Sequence, residues 1–224
     1  GVDTSRFQIT PRDEALAAEW GLSGQFVIGY VGTHGMAHGL SNVLQAATHL
    51  RKNDSVKFLF VGDGAERVDL IAEARAENLG NVKFVESQPR EKVPSIWSVC
   101  DIALVHLRDS EVFSEVIPSK IFEAMAMGLP ILLVTPKGIA SDIVLSTRSG
   151  LWVAAEQPEK LAEISAALVG RKRLLSLLSR NGAGASGSFS RQRQAEDMLQ
   201  ILEIASAGWG PRAGVASDTQ SYAR

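Results

Sequence analysis

Between Ile117 and Pro130 the chain reads Ile-Pro-Ser-Lys-Ile-Phe-Glu-Ala-Met-Ala-Met-Gly-Leu-Pro, and the residues able to do chemistry concentrate there. The segment is apolar at Ile121, Phe122, Ala124, Met125 and Ala126, yet it keeps one ammonium, Lys120, and one carboxylate, Glu123. Pro118 suits a first helical turn and Gly128 followed by Pro130 stops a helix, so a short buried helix is predicted over 118–127. At helical spacing Lys120 and Glu123 share a face, with Ser119 one turn before Glu123. Burying an unpaired carboxylate is costly, so Glu123 needs a partner. First-turn amides together with Lys120 form a site for an anion such as phosphate. A carboxylate one turn deeper is placed to accept hydrogen bonds from a diol, and phosphate beside a diol describes a nucleotide with its ribose. The same two residues equally fit an internal Lys120–Glu123 ion pair in an ordinary core helix.

A second constellation is Gly32-Thr33-His34-Gly35, with His38 close behind. Glycines at the end of an apolar run let backbone approach a phosphate and aim the amides of the next helix at it. The run is not the dinucleotide fingerprint: Gly29, Gly32, Gly35 and Gly39 miss the G-x-G-x-x-G spacing, and no acidic residue ends the second strand. A plain tight turn explains these glycines almost as well, and Gly62-Asp63-Gly64 is a weaker version of the same signal. His34 and His38 have the spacing of metal ligands on one helix face, but no third ligand follows at a zinc-like interval. Hydrogen bonding to a ligand oxygen or to backbone is expected of them, with no metal and no cofactor. Glu115 and Glu123 form E-x7-E, and two carboxylates can act as acid and base, although Glu115 precedes Pro118 and so belongs to a loop. No Ser/His/Asp or Cys/His grouping demands a nucleophile.

These residues need a frame, and the chain alternates strand with helix. Strands are predicted at 25–31, 56–61, 82–85, 101–106, 130–134 and 151–153. Helices are predicted at 40–50, 66–77, 90–99, 118–127, 159–169, 171–179 and 192–205. Residues 181–188, rich in glycine and serine, read as a loop, and the chain beyond Gly208 reads as loose. Such alternation implies an α/β fold, a Rossmann-like doubly wound parallel sheet of about six strands with helices on both faces. Ligands in such sheets bind at the carboxyl ends of the strands, where the loops from Gly32, Gly62, Glu86 and Leu107 lie.

The composition narrows the partners. A net charge of −2 over 224 residues gives no sign of nucleic-acid binding, and 45% hydrophobic residues suffice for one large or two small cores. Cys100 is alone, so neither a disulfide framework nor a cysteine metal cluster is expected, which suits a reducing cytoplasm. No apolar run reaches the length of a membrane span. One charge feature stands out: Arg171, Lys172, Arg173, Arg180, Arg191 and Arg193 lie in a stretch between Ile164 and Ala195 that holds no acid. It reads as a solvated face or as a peripheral contact with anionic membrane. The chain opens Gly1-Val-Asp-Thr-Ser-Arg-Phe7 without methionine, as a piece excised from a longer protein would.

Taken in order, several segments resemble the C-terminal, nucleotide-sugar-binding half of retaining glycosyltransferases of the GT-B fold, family four. They are Gly1-Val-Asp-Thr-Ser-Arg-Phe7, Val61-Gly-Asp-Gly64, Asn81-Val-Lys-Phe-Val85, Phe122-Glu-Ala-Met-Ala-Met-Gly-Leu-Pro130, Ser149-Gly-Leu-Trp-Val153 and Phe189-Ser-Arg191. The resemblance implies an entry linker at 1–24, a binding domain at 25–188, a helix at 189–207 that crosses back to the other domain, and a loose tail at 208–224. It implies a nucleoside diphosphate sugar, a UDP-sugar, as donor, and an acceptor-binding N-terminal domain absent from this chain. Glu123 would bind the ribose hydroxyls and Glu115 the donor sugar. Ser119 and Lys120 would hold the diphosphate, with Lys120 and Glu115 as the catalytic pair, and Gln88 with Pro89 would hold the base through backbone. Gly32, Thr33, His34, Gly35, His38 and Gly62 would wall the site. Many members carry Arg and Lys in the first loop, where this chain has Thr33 and His38. Gly-Thr-x-Gly-x-Ala-His-Gly with Ile-Pro-Ser-Lys resembles a bacterial subgroup building surface polysaccharide, lipopolysaccharide among them, on a glycan or lipid-linked acceptor. That implies a cytoplasmic enzyme, peripheral on the inner face of the membrane. A nucleotide-sugar epimerase or phosphorylase of the same fold is the nearest rival, and a non-catalytic Rossmann-like module is the rival of another class.

Overall fold

A computed structural model of the chain describes residues 1–53 and 55–208. Six strands, β1 (Phe26–Val31), β2 (Val56–Val61), β3 (Val82–Val85), β4 (Ile102–His106), β5 (Ile131–Val134) and β6 (Gly150–Val153), form one sheet in the order β3-β2-β1-β4-β5-β6. Every neighbouring pair is parallel. The four inner strands are short, apolar and buried on both faces, as parallel strands roofed by helices must be, whereas the edge strands β3 and β6 are only partly covered. Strand order reverses between β1 and β4, so the loops leaving these two diverge to opposite sides and open a crevice.

The helices are α1 (Glu14–Glu19), α2 (Leu40–His49), α3 (Arg67–Ala76), α4 (Val93–Ser98), α5 (Lys120–Ala126), α6 (Ile139–Ser146), α7 (Pro158–Leu168), α8 (Lys172–Ser186) and α9 (Arg191–Gly208). Two apolar layers result. Val27, Leu59 and Val61 face α4, α5 and α6, whereas Ile28, Tyr30, Phe58 and Phe60 face α2, α3 and α7. The period of two along β1 and β2 produces this split. Helix α5 ends in a Schellman turn: the Gly128 amide donates to Met125 O at 3.0 Å and that of Leu129 to Ala124 O at 2.9 Å. Gly128 takes φ +65°, so the stop predicted at this glycine is a backbone requirement.

Three elements depart from the sequence expectations. Helix α1 lies inside the segment read as linker, capped by Asp13, whose carboxylate accepts from the Leu16 amide at 3.0 Å. Helix α6 supplies the crossover between β5 and β6, which parallel pairing requires. The third is a correction: residues 181–186, expected as a loop, continue α8. Gly182 lies against Met125 of α5 and Ser149, where a methyl group would already stand 3.3 Å from the Ser149 Cβ. Small residues let two helices approach closely, and that packing outweighs the weak helix propensity of glycine. The tail expected to be loose from 209 lies outside the described residues.

Candidate functional site

A cleft of about 370 Å³ opens at the carboxyl edge of the sheet, beside the end of β1. Lys120 and Glu123 of α5, Gly32, Thr33 and His38 of the loop after β1, and Ser119 all line it. Gly32, Thr33 and Val93 also wall a second cleft of about 230 Å³, so the two adjoin. The far side of the second is made by Gly62, Ser87 and Gln88.

Lys120 is 9% exposed, and no ion pair is made by it among the described residues. Its ammonium sits 3.9 Å from the centre of the Tyr30 ring. Burial pulls its pKa down from 10.5 to about 7, against the opposing pull of Glu123. A cation–π contact offsets only part of the desolvation of an ammonium. Glu123 is half-buried and accepts from the indole Nε1–H of fully buried Trp97 at 3.3 Å. The internal Lys120–Glu123 bridge left open by the sequence is therefore not formed: each group has its own support, and both face the cleft.

The first turn of α5 is partly spent. The amides of Ile121, Phe122 and Glu123 already donate to the carbonyls of Pro118 and Ser119. Of the anion site expected there, the Lys120 ammonium is the stronger part. A Cβ on Gly32 would meet that ammonium at 3.0 Å, so the bare backbone at Gly32 leaves the space in front of it open.

Tyr30 holds the loop after β1 by donating its hydroxyl hydrogen to Thr33 O at 2.7 Å. His38 lies at the end of a 3-10 turn, Met36–His38, with Nδ1 3.4 Å from His106 O. His106 is buried and its Nδ1 lies 2.6 Å from His38 O. Burial lowers the His106 pKa to about 4, so the ring is neutral and Nδ1–H is the donor. Its Nε2, 3.2 Å from the Asn42 side-chain oxygen position, is then an acceptor and calls for the amide NH2 of Asn42 to face it.

Not every expected residue reaches a cleft. His34 is a correction: its side chain is fully buried among Tyr30, Phe60 and Phe84, lines neither cleft, and both ring nitrogens are unpartnered among the described residues. Burial lowers its pKa to about 4. Its backbone carries its structural part, the amide donating to Asp63 O at 2.8 Å and the carbonyl accepting from the Glu66 amide at 2.9 Å. That staple brings the loops after β1 and β2 together, and a Cβ on Gly62 would overlap the Gly32 carbonyl. Gly35 and Pro89 line neither cleft, and Pro89 caps the 3-10 turn Arg90–Lys92. Glu115 is exposed after the 3-10 turn Glu111–Ser114 and is not brought to either cleft.

Sequence reasoning missed Tyr30, Trp97, Arg6, Arg90 and Arg191. A tyrosine inside an otherwise aliphatic strand was a usable signal, since a buried hydroxyl needs a partner. Arg6 and Arg191 reach the cleft only because the first residues meet the segment that enters α9, the Val2 amide donating to Phe189 O and the Arg191 amide to Val2 O, each at 2.9 Å.

Residues 13–183 match the family described as "Glycosyl transferases group 1". The chain belongs to this family. Over 158 residues the group 1 chain is 31% identical to the probable glycosyltransferase WbjE of Pseudomonas aeruginosa, covering 69% of itself and 38% of that protein. Over 181 residues it is 26% identical to a GDP-mannose-dependent alpha-mannosyltransferase of Mycobacterium tuberculosis, covering 80% and 44%. It thus spans about two fifths of the length of the curated relatives it matches. Among solved structures, HepE of Anabaena in complex with UDP and glucose superposes with a TM-score of 0.77 at 21% identity, over 92% of this chain and 55% of that one. The C-terminal domain of the group 1 protein LpcC from Francisella tularensis gives 0.71 at 19%, over 85% of this chain and all of that one, 100%. At these identities the likeness carries the six-stranded α/β fold of GT-B proteins. Within the described residues of this group 1 chain, no helix is long and apolar enough to cross a membrane.

Proposed function

We propose that the chain is the donor-binding, C-terminal half of a retaining glycosyltransferase of family four, taking sugar from a nucleoside diphosphate sugar to a glycan or lipid-linked acceptor in surface-polysaccharide synthesis. One observation carries the reading: the ammonium of Lys120 is nearly buried in a cleft wall, has no carboxylate within ion-pairing distance among the described residues, and has Glu123 one turn away. A diphosphate is the anion that completes such a cation, and the carboxylate beyond it suits vicinal ribose hydroxyls. The adjoining cleft with Ser87 and Gln88 has room for a base.

In this reading Glu123, held by Trp97, fixes the ribose. Lys120 and the Ser119 end of α5 hold the diphosphate, and Thr33, His38 and the bare backbone of Gly32 flank it. As the glycosidic bond breaks, further negative charge grows on the leaving diphosphate, and an ammonium beside it stabilises that more highly charged state more than the intact donor. A residue whose pKa lies near neutrality also gains its full charge at the moment the anion arrives. The LpcC domain, which this fold covers in full, supports the assignment to a C-terminal half.

The base is read as uracil, supported by the likeness to HepE, which was solved with UDP. Guanine is the second reading, favoured by mannosyltransferase relatives described as GDP-mannose-dependent. Calorimetric titration of the chain with UDP and with GDP separates them, and absence of heat with both overturns the donor-site reading in favour of a non-catalytic module. Glu123→Ala is expected to weaken the productive nucleotide by about tenfold or more, the loss of charged hydrogen bonds to a diol. Glu115→Gln is expected to leave nucleotide affinity unchanged.

A further inference from the structure

A diphosphate brings at least two negative charges, and the cleft's inner wall supplies little fixed charge to meet them. Burial lowers the Lys120 pKa to about 7, His38 is held below its ordinary range by burial, and Thr33 carries no charge. Among the residues lining this cleft, the permanent cations are Arg6, Arg90 and Arg191.

Two of those three lie far apart in sequence and are brought to one mouth by a single device. Val2 and Ser190 form a parallel bridge, with the Val2 and Phe189 backbones and the Arg191 and Val2 backbones hydrogen-bonded across it. The Phe189 ring stacks on Phe122 at 4.8 Å, and Phe122 is the residue before Glu123. The strap made by 1–7 and 187–191 is thus registered against the helix that carries Lys120 and Glu123.

Its arginines are free to bind. Arg191 donates Nε–H to Gly1 O at 3.3 Å, while its terminal nitrogens have no partner among the described residues. Asp3, the nearby acid, is occupied by its own turn, its Oδ1 accepting from the Ser5 amide, the Ser5 hydroxyl and the Arg6 amide. Arg6 makes no side-chain hydrogen bond or ion pair among the described residues.

We infer that this strap is part of the anion site, Arg6 and Arg191 gripping the diphosphate of the donor in the cleft that Lys120 also lines. The inference rests on the donor-site reading above. A guanidinium presents a planar fork to phosphate oxygens and stays charged at any working pH, which is what a site with a half-ionised lysine lacks. Because both arms of the strap then touch one ligand, donor binding also stiffens the Val2–Ser190 junction.

The test uses the whole chain with the nucleoside diphosphate it binds and with the matching uncharged nucleoside. Arg6→Gln and Arg191→Gln are each expected to weaken the diphosphate about tenfold, and the pair about a hundredfold, leaving the nucleoside unchanged. Arg191→Lys is expected to recover part of the loss, and the double variant to flatten the salt dependence of binding. Hydrogen exchange at the Val2 and Arg191 amides is expected to slow on adding the diphosphate and not on adding the nucleoside. If the double variant binds the diphosphate as the unmodified chain does, the strap has no part in the site, while the donor reading stands. Equal losses for diphosphate and nucleoside indicate local unfolding and overturn the inference too. If the unmodified chain binds no nucleoside diphosphate, both readings fall.

Discussion

Lys120 decides how the site responds to pH. Its folded pKa, about 7, lies below the 10.5 of an ordinary lysine, first because burial penalises the charged form. Between those values the unfolded chain holds the extra proton, so this residue makes stability rise with pH from about 7 to 10.5, and its burial cost is fully present below 7. Phosphate reverses the sense for binding because it favours the ammonium. At about pH 8 nucleotide uptake should carry a proton with it, and affinity should fall by up to about tenfold per pH unit above neutrality. Calorimetry in two buffers of different ionisation heat measures this, and Lys120→Met should both weaken binding and abolish the buffer dependence. His34 and His106 act in the other window. Burial depresses both to about 4, so the folded chain binds fewer protons than the unfolded one between 4 and 6.5, and stability is lost as pH falls through that range. His34→Phe should remove part of that loss in thermal unfolding followed against pH, with nucleotide affinity unchanged, since its ring lies in an aromatic cluster away from the cleft.

Among the elements, α8 shows why local propensity misled. Gly182 and Gly184 both argue against a helix, yet they occupy different surroundings. Gly182 meets α5 and Ser149, whereas a methyl group at Gly184 would touch nothing within 4 Å. Gly184→Ala is therefore expected to stabilise the chain by up to about 1 kcal/mol, and Gly182→Leu to destabilise it by about 1–3 kcal/mol by prising α8 from α5. Chemical denaturation of the two variants checks both signs. The basic stretch also divides: Arg191 lines the cleft and Arg193 pairs with Asp197 at 3.0 Å, leaving Arg171, Lys172 and Arg173 exposed at the start of α8 and Arg180 exposed two turns further along it. Four such charges near an anionic surface contribute about 1 kcal/mol each at most. Weak cosedimentation with anionic vesicles that vanishes with added salt is expected, and binding that survives salt would point to a membrane-seated face.

At the scale of the whole molecule, α9 leaves Met198, Leu199, Ile201, Leu202 and Ile204 each more than half exposed. Exposed apolar side chains in such number on one helix mark an interaction surface, and the chain matches only 38% and 44% of the length of two curated relatives. On the donor-site reading proposed above, the chain alone is expected to bind the nucleoside diphosphate without transferring sugar, the acceptor being held by a separate domain. Product analysis with donor sugar and the chain, set against the same assay on a protein that includes an acceptor-binding domain, measures this.

Much of this was legible in the chain itself. The six strands and the pairing of Lys120 with Glu123 on one helix follow from hydrophobic period, glycine placement and the cost of burying charge, all of which act within a few residues. Tertiary structure alone decided whether that acid and ammonium face each other or a cleft, because the answer depends on Tyr30 and Trp97, which arrive from other elements. It alone placed His34 in the core, carried α8 through its glycines, and drew Arg6 and Arg191 to one mouth. Each of these outcomes depends on contacts between segments distant in sequence, and short-range propensity holds no record of what a side chain will meet across the fold.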